Sequence, residues 1–159
     1  MTNGAAGPFP PPHLSKVNTM SDDKLWGVVA AGTLGTVATI KKDGRPQLSD
    51  VSYIALPGLI RFSTRTTLAK VHNLRQDPRV SMKVSAADGH GYAVAEGTAE
   101  LSPVAWRLDD DVVEELIEVY RLIAGHEHPD WDDYRRAMVA DGRLVVRIRV
   151  EHLYGWVQD

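Results

Sequence analysis

Cysteine is absent from this chain of 159 residues. Its absence excludes disulfides, thiolate catalysis and metal sites built on cysteine. No apolar run approaches the roughly 18 residues that a membrane-spanning helix needs, so we expect no membrane partner. The formal charge is -3 and no basic stripe is present, which argues against a nucleic-acid surface. The lack of cysteine is compatible with a reducing cytoplasm, where we expect this protein to act.

The first twenty residues lack an apolar core segment and hold four of the nine prolines. Without an apolar segment or an early basic cluster, a secretory signal is not expected. This composition predicts a disordered or loosely packed arm over residues 1–20. The whole chain is 43% apolar, and residues 21–159 suit one compact domain.

Short runs rich in β-branched residues, separated by glycine and proline turns, dominate the rest of the sequence. Strands are predicted at 35–40, 47–56, 59–64, 80–85, 92–101 and 144–150, with 152–156 continuing the last one. The turns at Asp43-Gly44 and Pro57-Gly58 are short. The first three strands therefore form an antiparallel meander and not a parallel β-α-β unit.

Four short helices are predicted around these strands. The first begins at Ser21 as its cap, and the second follows a cap at Thr66 or Thr67. The third covers 109–124 and the fourth 131–140, both with apolar residues at helical spacing. Six or seven antiparallel strands with four small helices indicate a β-barrel with added helices, because closure removes exposed strand edges.

The junction between the third strand and the second helix carries the most suggestive chemistry. Ser63 and Thr64 place hydroxyls at the strand end, and the helix N-terminus that follows offers a positive dipole to an anion. Arg65 and Lys70 add cations that suit phosphate oxygens. The same residues also fit a capped surface helix with solvated basic side chains, and composition alone favours that interpretation.

Histidines and acids crowd the loop before the fourth helix, where His126, His128 and Asp130 are followed by further aspartates. Imidazole and carboxylate groups bind several divalent metals. Their spacing does not match the helical histidine pair of a zinc protease, and aspartates are usual in surface loops. No metal site is therefore predicted. The sequence also lacks a GxSxG elbow, a Walker phosphate loop and a GxGxxG turn.

Three segments together resemble the pyridoxamine 5'-phosphate oxidase-like split-barrel superfamily: ATIKKDGRPQLSDVSY, FSTRTTLAKVHNLRQDPRVSMKV and YAVAEGTAEL. Within it, DGRPQLS, AKVHNLRQDPR and the helical segments VEELIEVYRLIAGHEH and DWDDYRRAMVADGR resemble the flavin/deazaflavin oxidoreductases of subgroup B. The resemblance spans residues 22 to about 156. It implies a mainly β, α+β fold, an antiparallel split β-barrel of six to seven strands with about four small helices.

The resemblance also implies an activity. Members of the subgroup use the deazaflavin F420, so we expect an F420-dependent reductase that transfers a hydride between F420 and a small conjugated substrate. Two alternatives stay open. One is an FMN-dependent oxidase or reductase on the same scaffold, and the other is a protein that binds F420 or another planar ligand without turnover. No residue is predicted to be catalytic.

The cofactor positions that the resemblance implies are carried over residue by residue. Lys70 and Asn73 match the positions around the cofactor phosphate, and Ser63 and Thr64 match the strand end beneath it. The second-strand positions along the deazaflavin ring and its side chain match Gln47, Ser49 and Asp50.

One position departs from the pattern. Relatives commonly carry an arginine two residues before the lysine, where this chain has Leu68. Arg65 is expected to supply the missing charge. The resemblance further implies a homodimer with each cofactor between subunits, so that His90 and Tyr92 come from the partner chain.

Overall fold

The computed structural model describes residues 19–158. The predicted arm at 1–20 lies outside the described residues except for its last two, which begin the first helix. This helix, α1, spans Thr19–Ala31. It starts two residues before the predicted cap, so Ser21 lies inside the helix.

Seven strands form one antiparallel sheet in the order β2-β1-β5-β6-β7-β4-β3. Their bounds are β1 Leu34–Ile40, β2 Pro46–Ser52, β3 Ile54–Leu56, β4 Leu59–Arg65, β5 Arg79–Ser85, β6 Gly91–Leu101 and β7 Arg143–Val157. The other helices are α2 Ala69–Gln76, α3 Asp111–Ala124 and α4 Trp131–Ala140. The sheet curls into a half-barrel, which confirms the predicted α+β split-barrel class.

One strand prediction differs from the structure. The run predicted at 47–56 is broken at Tyr53, because its buried hydroxyl donates to Val29 O at 2.6 Å and its backbone N–H donates to Thr33 O. The predicted continuation of the last strand through 152–156 is confirmed, since β7 is one long strand that contains a β-bulge. There the register with β6 shifts between Glu96 and Gly97, which leaves Glu151 without a paired residue.

The starts of α2 and α3 also differ from the predictions. α3 begins at Asp111 and not at 109, because the Asp110 carboxylate accepts the backbone N–H groups of Trp106 and Arg107 at 2.8 Å each and shapes the preceding loop. α4 spans the predicted residues, and Asp130 caps it by accepting from Asp133 N. The start of α2 is described with the site below.

The two faces of the sheet have different surroundings. The inner face holds the main core, which α1 and α2 close with residues such as Val29, Val71 and Leu74. The outer face of β4 and of the first half of β7 is covered by α3 and α4. Arg61 on β4 donates to both carboxylate oxygens of Glu118 on α3, at 3.2 Å each, and so ties this layer to the sheet.

The rest of the outer face, on β2, β1, β5 and the paired ends of β6 and β7, is not covered within the described chain. It exposes five large side chains: Leu34, Leu48, Tyr92, Tyr154 and Trp156. We call this set the open face. In the part of the chain that the structure describes, no helix is long and apolar enough to cross a bilayer.

Candidate functional site

The N-terminus of α2 has unused hydrogen-bond donors. Its cap residue is Leu68, which offers no side-chain acceptor, so the predicted cap at Thr66 or Thr67 is wrong. Thr66 instead ties the connection to the start of β7, since its N–H donates to Gly142 O and its hydroxyl accepts from Arg75 Nη2. Within residues 19–158, the backbone N–H groups of Ala69 and Lys70 have no acceptor. Such a helix start attracts anions.

Lys70, in the first turn of this helix, is a largely buried lysine. The residue is 8% exposed. Its Nζ makes no hydrogen bond or ion pair with any residue that the structure describes. Burial lowers the pKa of Lys70 below its usual 10.5, because desolvation disfavours the charged form. An anion at this position would compensate both the ammonium and the free N–H groups.

A short chain of polar contacts fixes α2 on the sheet. Asn73 Nδ2 donates to Thr39 Oγ1 at 3.1 Å, and Thr39 Oγ1 donates to Gln47 Oε1 at 3.2 Å. Thr39 and Asn73 are both buried. Asn73 therefore acts within the protein by setting the position of the helix that carries Lys70.

Replacing Asn73 with alanine is expected to lower the free energy of unfolding by about 1–2 kcal/mol, because the Thr39 hydroxyl would lose its buried donor. Urea unfolding checks this value, with Gln76→Ala on the same helix as an exposed control. Equal stability of both variants would show that the Asn73–Thr39 bond does not hold α2.

Two further predicted residues lie on the inner face. Ser49 on β2 pairs with Val37 on β1, and its Oγ is buried without a hydrogen-bond partner. Thr64 on β4 is also buried. The structure thus places Gln47, Ser49, Thr64, Lys70 and Asn73 on the barrel side that α2 covers.

Ser63 and Arg65 lie on the other side of β4. Ser63 Oγ accepts from Arg143 Nη1 at 3.4 Å, and Arg65 Nη2 lies 3.5 Å from Asp141 Oδ2. Arg65 was expected to supply the charge that is missing at Leu68. Its guanidinium already faces the carboxylate of Asp141. A role of Arg65 in phosphate binding stays a prediction.

Asp50, His90 and Tyr92 lie away from the α2 corner. Asp50 follows Ser49 on a strand, so its side chain lies on the outer face, where Oδ1 accepts from Thr36 Oγ1 at 2.7 Å. Tyr92 belongs to the open face. His90 lies in the β5–β6 turn, where its N–H donates to Asp88 Oδ1.

The rejected metal loop is a packing cluster. The Tyr120 ring centroid lies 5.3 Å from that of His128 and 5.6 Å from that of Trp131. His128 Nδ1 accepts the backbone N–H of Asp130 at 3.0 Å. Among the residues that the structure places, no three metal-ligating side chains gather closely enough to hold an ion. The cluster joins α3 to α4.

Sequence reasoning missed Thr39, since a threonine in a strand is ordinarily explained by β propensity. Only its contact with Asn73 shows the second role.

The α2 corner fits a ligand that carries a phosphate. It offers the ammonium of Lys70, the two N–H groups that have no acceptor in the described chain and the unpaired hydroxyl of Ser49. These groups can bind and orient a ligand. They do not include a clear proton donor or acceptor for a reaction, because Lys70 is the one titratable group among the five inner-face residues.

Known proteins similar to this chain agree with its fold. A family model described as pyridoxamine 5'-phosphate oxidase matches residues 21–157. A conserved hypothetical protein of Mycobacterium tuberculosis, Rv2991, is 26% identical with a TM-score of 0.67, covering 87% of this chain and 85% of its own. An F420 reductase is 23% identical with a TM-score of 0.62, covering 80% and 94%. An FAD-binding protein from Mesorhizobium loti is 21% identical with a TM-score of 0.61, covering 85% and 93%. The chain belongs to the pyridoxamine 5'-phosphate oxidase family.

Proposed function

We propose that this protein is an F420-dependent oxidoreductase that holds the phosphate of the deazaflavin at the N-terminus of α2. One observation carries the proposal: the ammonium of the largely buried Lys70 has no counter-charge within the described chain, at a helix start whose first N–H groups have no acceptor there. A buried cation without a partner is costly, and a phosphate would remove that cost. The F420 reductase among the structural neighbours supports the choice of cofactor.

The chain itself supplies binding and orientation. Lys70 Nζ and the N–H groups of Ala69 and Lys70 donate to phosphate oxygens, while Asn73 keeps α2 in register with the sheet through Thr39. The Ser49 hydroxyl is available to a polar group of the ligand along β2. When bound, F420 supplies hydride transfer to or from an electron-poor carbon of the substrate. The accompanying proton comes from water or from a protein residue outside this inner-face set.

The second part of the proposal is a homodimer that joins through the open face. Several exposed large apolar side chains on one face are typical of a protein interface. Tyr92 and Trp156 are paired neighbours on β6 and β7, and Tyr154 pairs with Val94 one row away. A partner subunit on this face would bring its own His90 and Tyr92 toward the cofactor, as the family resemblance implies.

The cofactor is tested by separate titrations of the purified protein with F420 and with FMN, followed by fluorescence quenching. Saturable quenching by F420 with weaker binding of FMN supports the proposal. Tight binding of FMN without binding of F420 would contradict it and favour the FMN-dependent enzyme. The FAD-binding neighbour makes this second cofactor class a specific alternative.

Turnover is tested apart from binding. Reduced F420 is mixed with the protein and a panel of enones and quinones, and its oxidation is followed by absorbance. We expect oxidation with at least one acceptor class. Tight F420 binding without oxidation across the panel would instead indicate a protein that only sequesters the cofactor.

The affinity for a phosphate-bearing cofactor is expected to fall as the pH rises toward 10.5, because Lys70 must be protonated to bind and burial holds its pKa below that value. The contribution of Lys70 to the free energy of unfolding of the apo protein should instead rise with pH. Over the window between the lowered pKa and 10.5, the unfolded chain binds more protons at this residue, so its contribution to stability rises with pH. The difference between wild type and Lys70→Met isolates this term from the buried tyrosines, such as Tyr53, whose pKa burial raises to about 12. Parallel pH curves for the two proteins would contradict it.

A further inference from the structure

A groove separate from the α2 corner lies between α1 and the adjoining ends of β1, β2 and β5. Its volume is about 820 Å³, and its walls include Gly27, Val28 and Ala31 of α1. Small-molecule sites typically enclose roughly 300–1,000 Å³. The groove is therefore large enough for a small organic ligand.

Gly27 is a glycine that the fold itself does not require. It lies inside α1, and a Cβ atom added there would meet no atom within 4 Å. Glycine within a helix costs about 0.5–1 kcal/mol relative to alanine. Gly32 is different, because a Cβ there would lie 2.4 Å from Tyr53 Oη. Packing explains Gly32, whereas Gly27 keeps the groove open.

The outer face of the sheet contributes charge to the same groove. Thr36 on β1 is paired with Asp50 on β2 and with Lys83 on β5, so the two charged residues are two strand spacings apart, roughly 10 Å. Asp50 is held by Thr36. Lys83 Nζ donates to Ser85 Oγ at 3.0 Å and lies 6.0 Å from the Tyr92 ring centroid.

In a single subunit, Lys83 is available to an external anion. Leu34 belongs both to the groove wall and to the open face, so in the proposed dimer this groove would lie at the subunit interface. In the described part of the chain Lys83 has no carboxylate within ion-pair distance, and its neighbours are a hydroxyl and an aromatic ring. The apolar wall of α1 lies across the groove from it. A ligand that satisfies both sides has a flat apolar body and an acidic oxygen.

We propose that this groove binds a small planar organic anion, with its ring against Val28 and Ala31 and its acidic oxygen at Lys83. The ligand's role as the reducible substrate rests on the proposed function, but its binding does not. The edge strand β2 connects the two regions, since Gln47 and Ser49 lie on its inner face by the α2 corner and Asp50 lies on its outer face in the groove. The two regions thus share this edge strand.

The experiment is isothermal titration of the apo protein with naphthalene-1-carboxylate and with its neutral analogue 1-naphthamide. Wild type is expected to prefer the carboxylate. Lys83→Met should weaken carboxylate binding by about tenfold or more and leave the amide unchanged, because only the charge-assisted contact is lost. Gly27→Leu should abolish binding of both compounds by filling the groove.

Matched controls separate the groove from general effects. Lys42→Met removes an exposed lysine of the β1–β2 turn, and Ala30→Leu enlarges an exposed α1 residue outside the groove, so both should bind as wild type does. Thermal unfolding of Gly27→Leu should match or exceed wild type, because leucine forms helices better than glycine. If Gly27→Leu does not fold, Gly27→Met gives the same test with a flexible side chain of similar size.

Three results would overturn the proposal: no binding to wild type, equal affinity for the acid and the amide, or unchanged binding in the Gly27 variants. Lys70→Met distinguishes this site from the cofactor site, since it should leave naphthalene-1-carboxylate binding intact. If the protein binds naphthalene-1-carboxylate as expected but does not bind F420, the proposed cofactor is wrong and the proposed ligand site in the groove still stands.

Discussion

Replacing Lys70 with methionine is expected to weaken F420 binding by about 1.5–3 kcal/mol, a factor of roughly 10 to 150. The reason is the loss of a charge-assisted contact in a buried position, where the ammonium has no other partner in the described chain. Methionine keeps most of the length and packing of the side chain and removes the ammonium with its charge and its donors. Isothermal titration with F420 measures the effect, and Lys42→Met serves as the exposed control.

The same variant should make the apo protein more stable. Desolvation disfavours the Lys70 ammonium, as its lowered pKa indicates, and methionine removes that cost. A gain of about 1 kcal/mol would raise the melting temperature by roughly 2–4 °C for a chain of this size. If Lys70 stabilised the fold, its replacement would lower the melting temperature of the apo protein. Lower apo stability together with unchanged F420 affinity would therefore rule out the phosphate role of Lys70.

Replacing Trp156 with aspartate is expected to convert the protein to monomers and to abolish saturable F420 binding. The residue is 56% exposed, so the fold of a single chain does not depend on it, whereas a charge in the centre of an apolar interface is strongly unfavourable. Sedimentation velocity measures the oligomeric state, and fluorescence quenching measures the cofactor.

Trp106→Asp is the matched control for this prediction. Trp106 is 82% exposed but lies on the connection between β6 and α3, away from the open face. It should remain dimeric and bind F420 normally. A wild-type protein that sediments as a monomer would contradict the dimer directly. A monomeric Trp156→Asp protein that still binds F420 with full affinity would show that the cofactor site is complete in one subunit.

Much of the fold was predictable because it follows from local rules. Gly44 and Gly58 adopt positive φ in the two turns of the meander, as the turn sequences require. The apolar spacing of α3 and the aspartate cap of α4 are likewise local signals. The break at Tyr53 was not predictable, since it depends on a hydroxyl that reaches α1.

The site was predicted less completely. The resemblance pointed to Lys70 and Asn73, which both lie on α2 and are both buried. It also grouped Ser49 with Asp50, although adjacent residues of a strand point to opposite faces. That rule was available from the sequence and separates the two residues, one toward the α2 corner and the other into the groove.

The sequence by itself determined the strand meander, the four helices and the absence of cysteine chemistry. The tertiary structure decided which polar groups have partners. Thr39 and Asn73 are 34 residues apart yet bond to each other, Arg65 faces Asp141, and Lys70 faces no carboxylate within residues 19–158. Residue type fixes the charge of a side chain, but burial and the positions of distant residues decide whether that charge is compensated, and the uncompensated Lys70 is the basis for the proposed phosphate site.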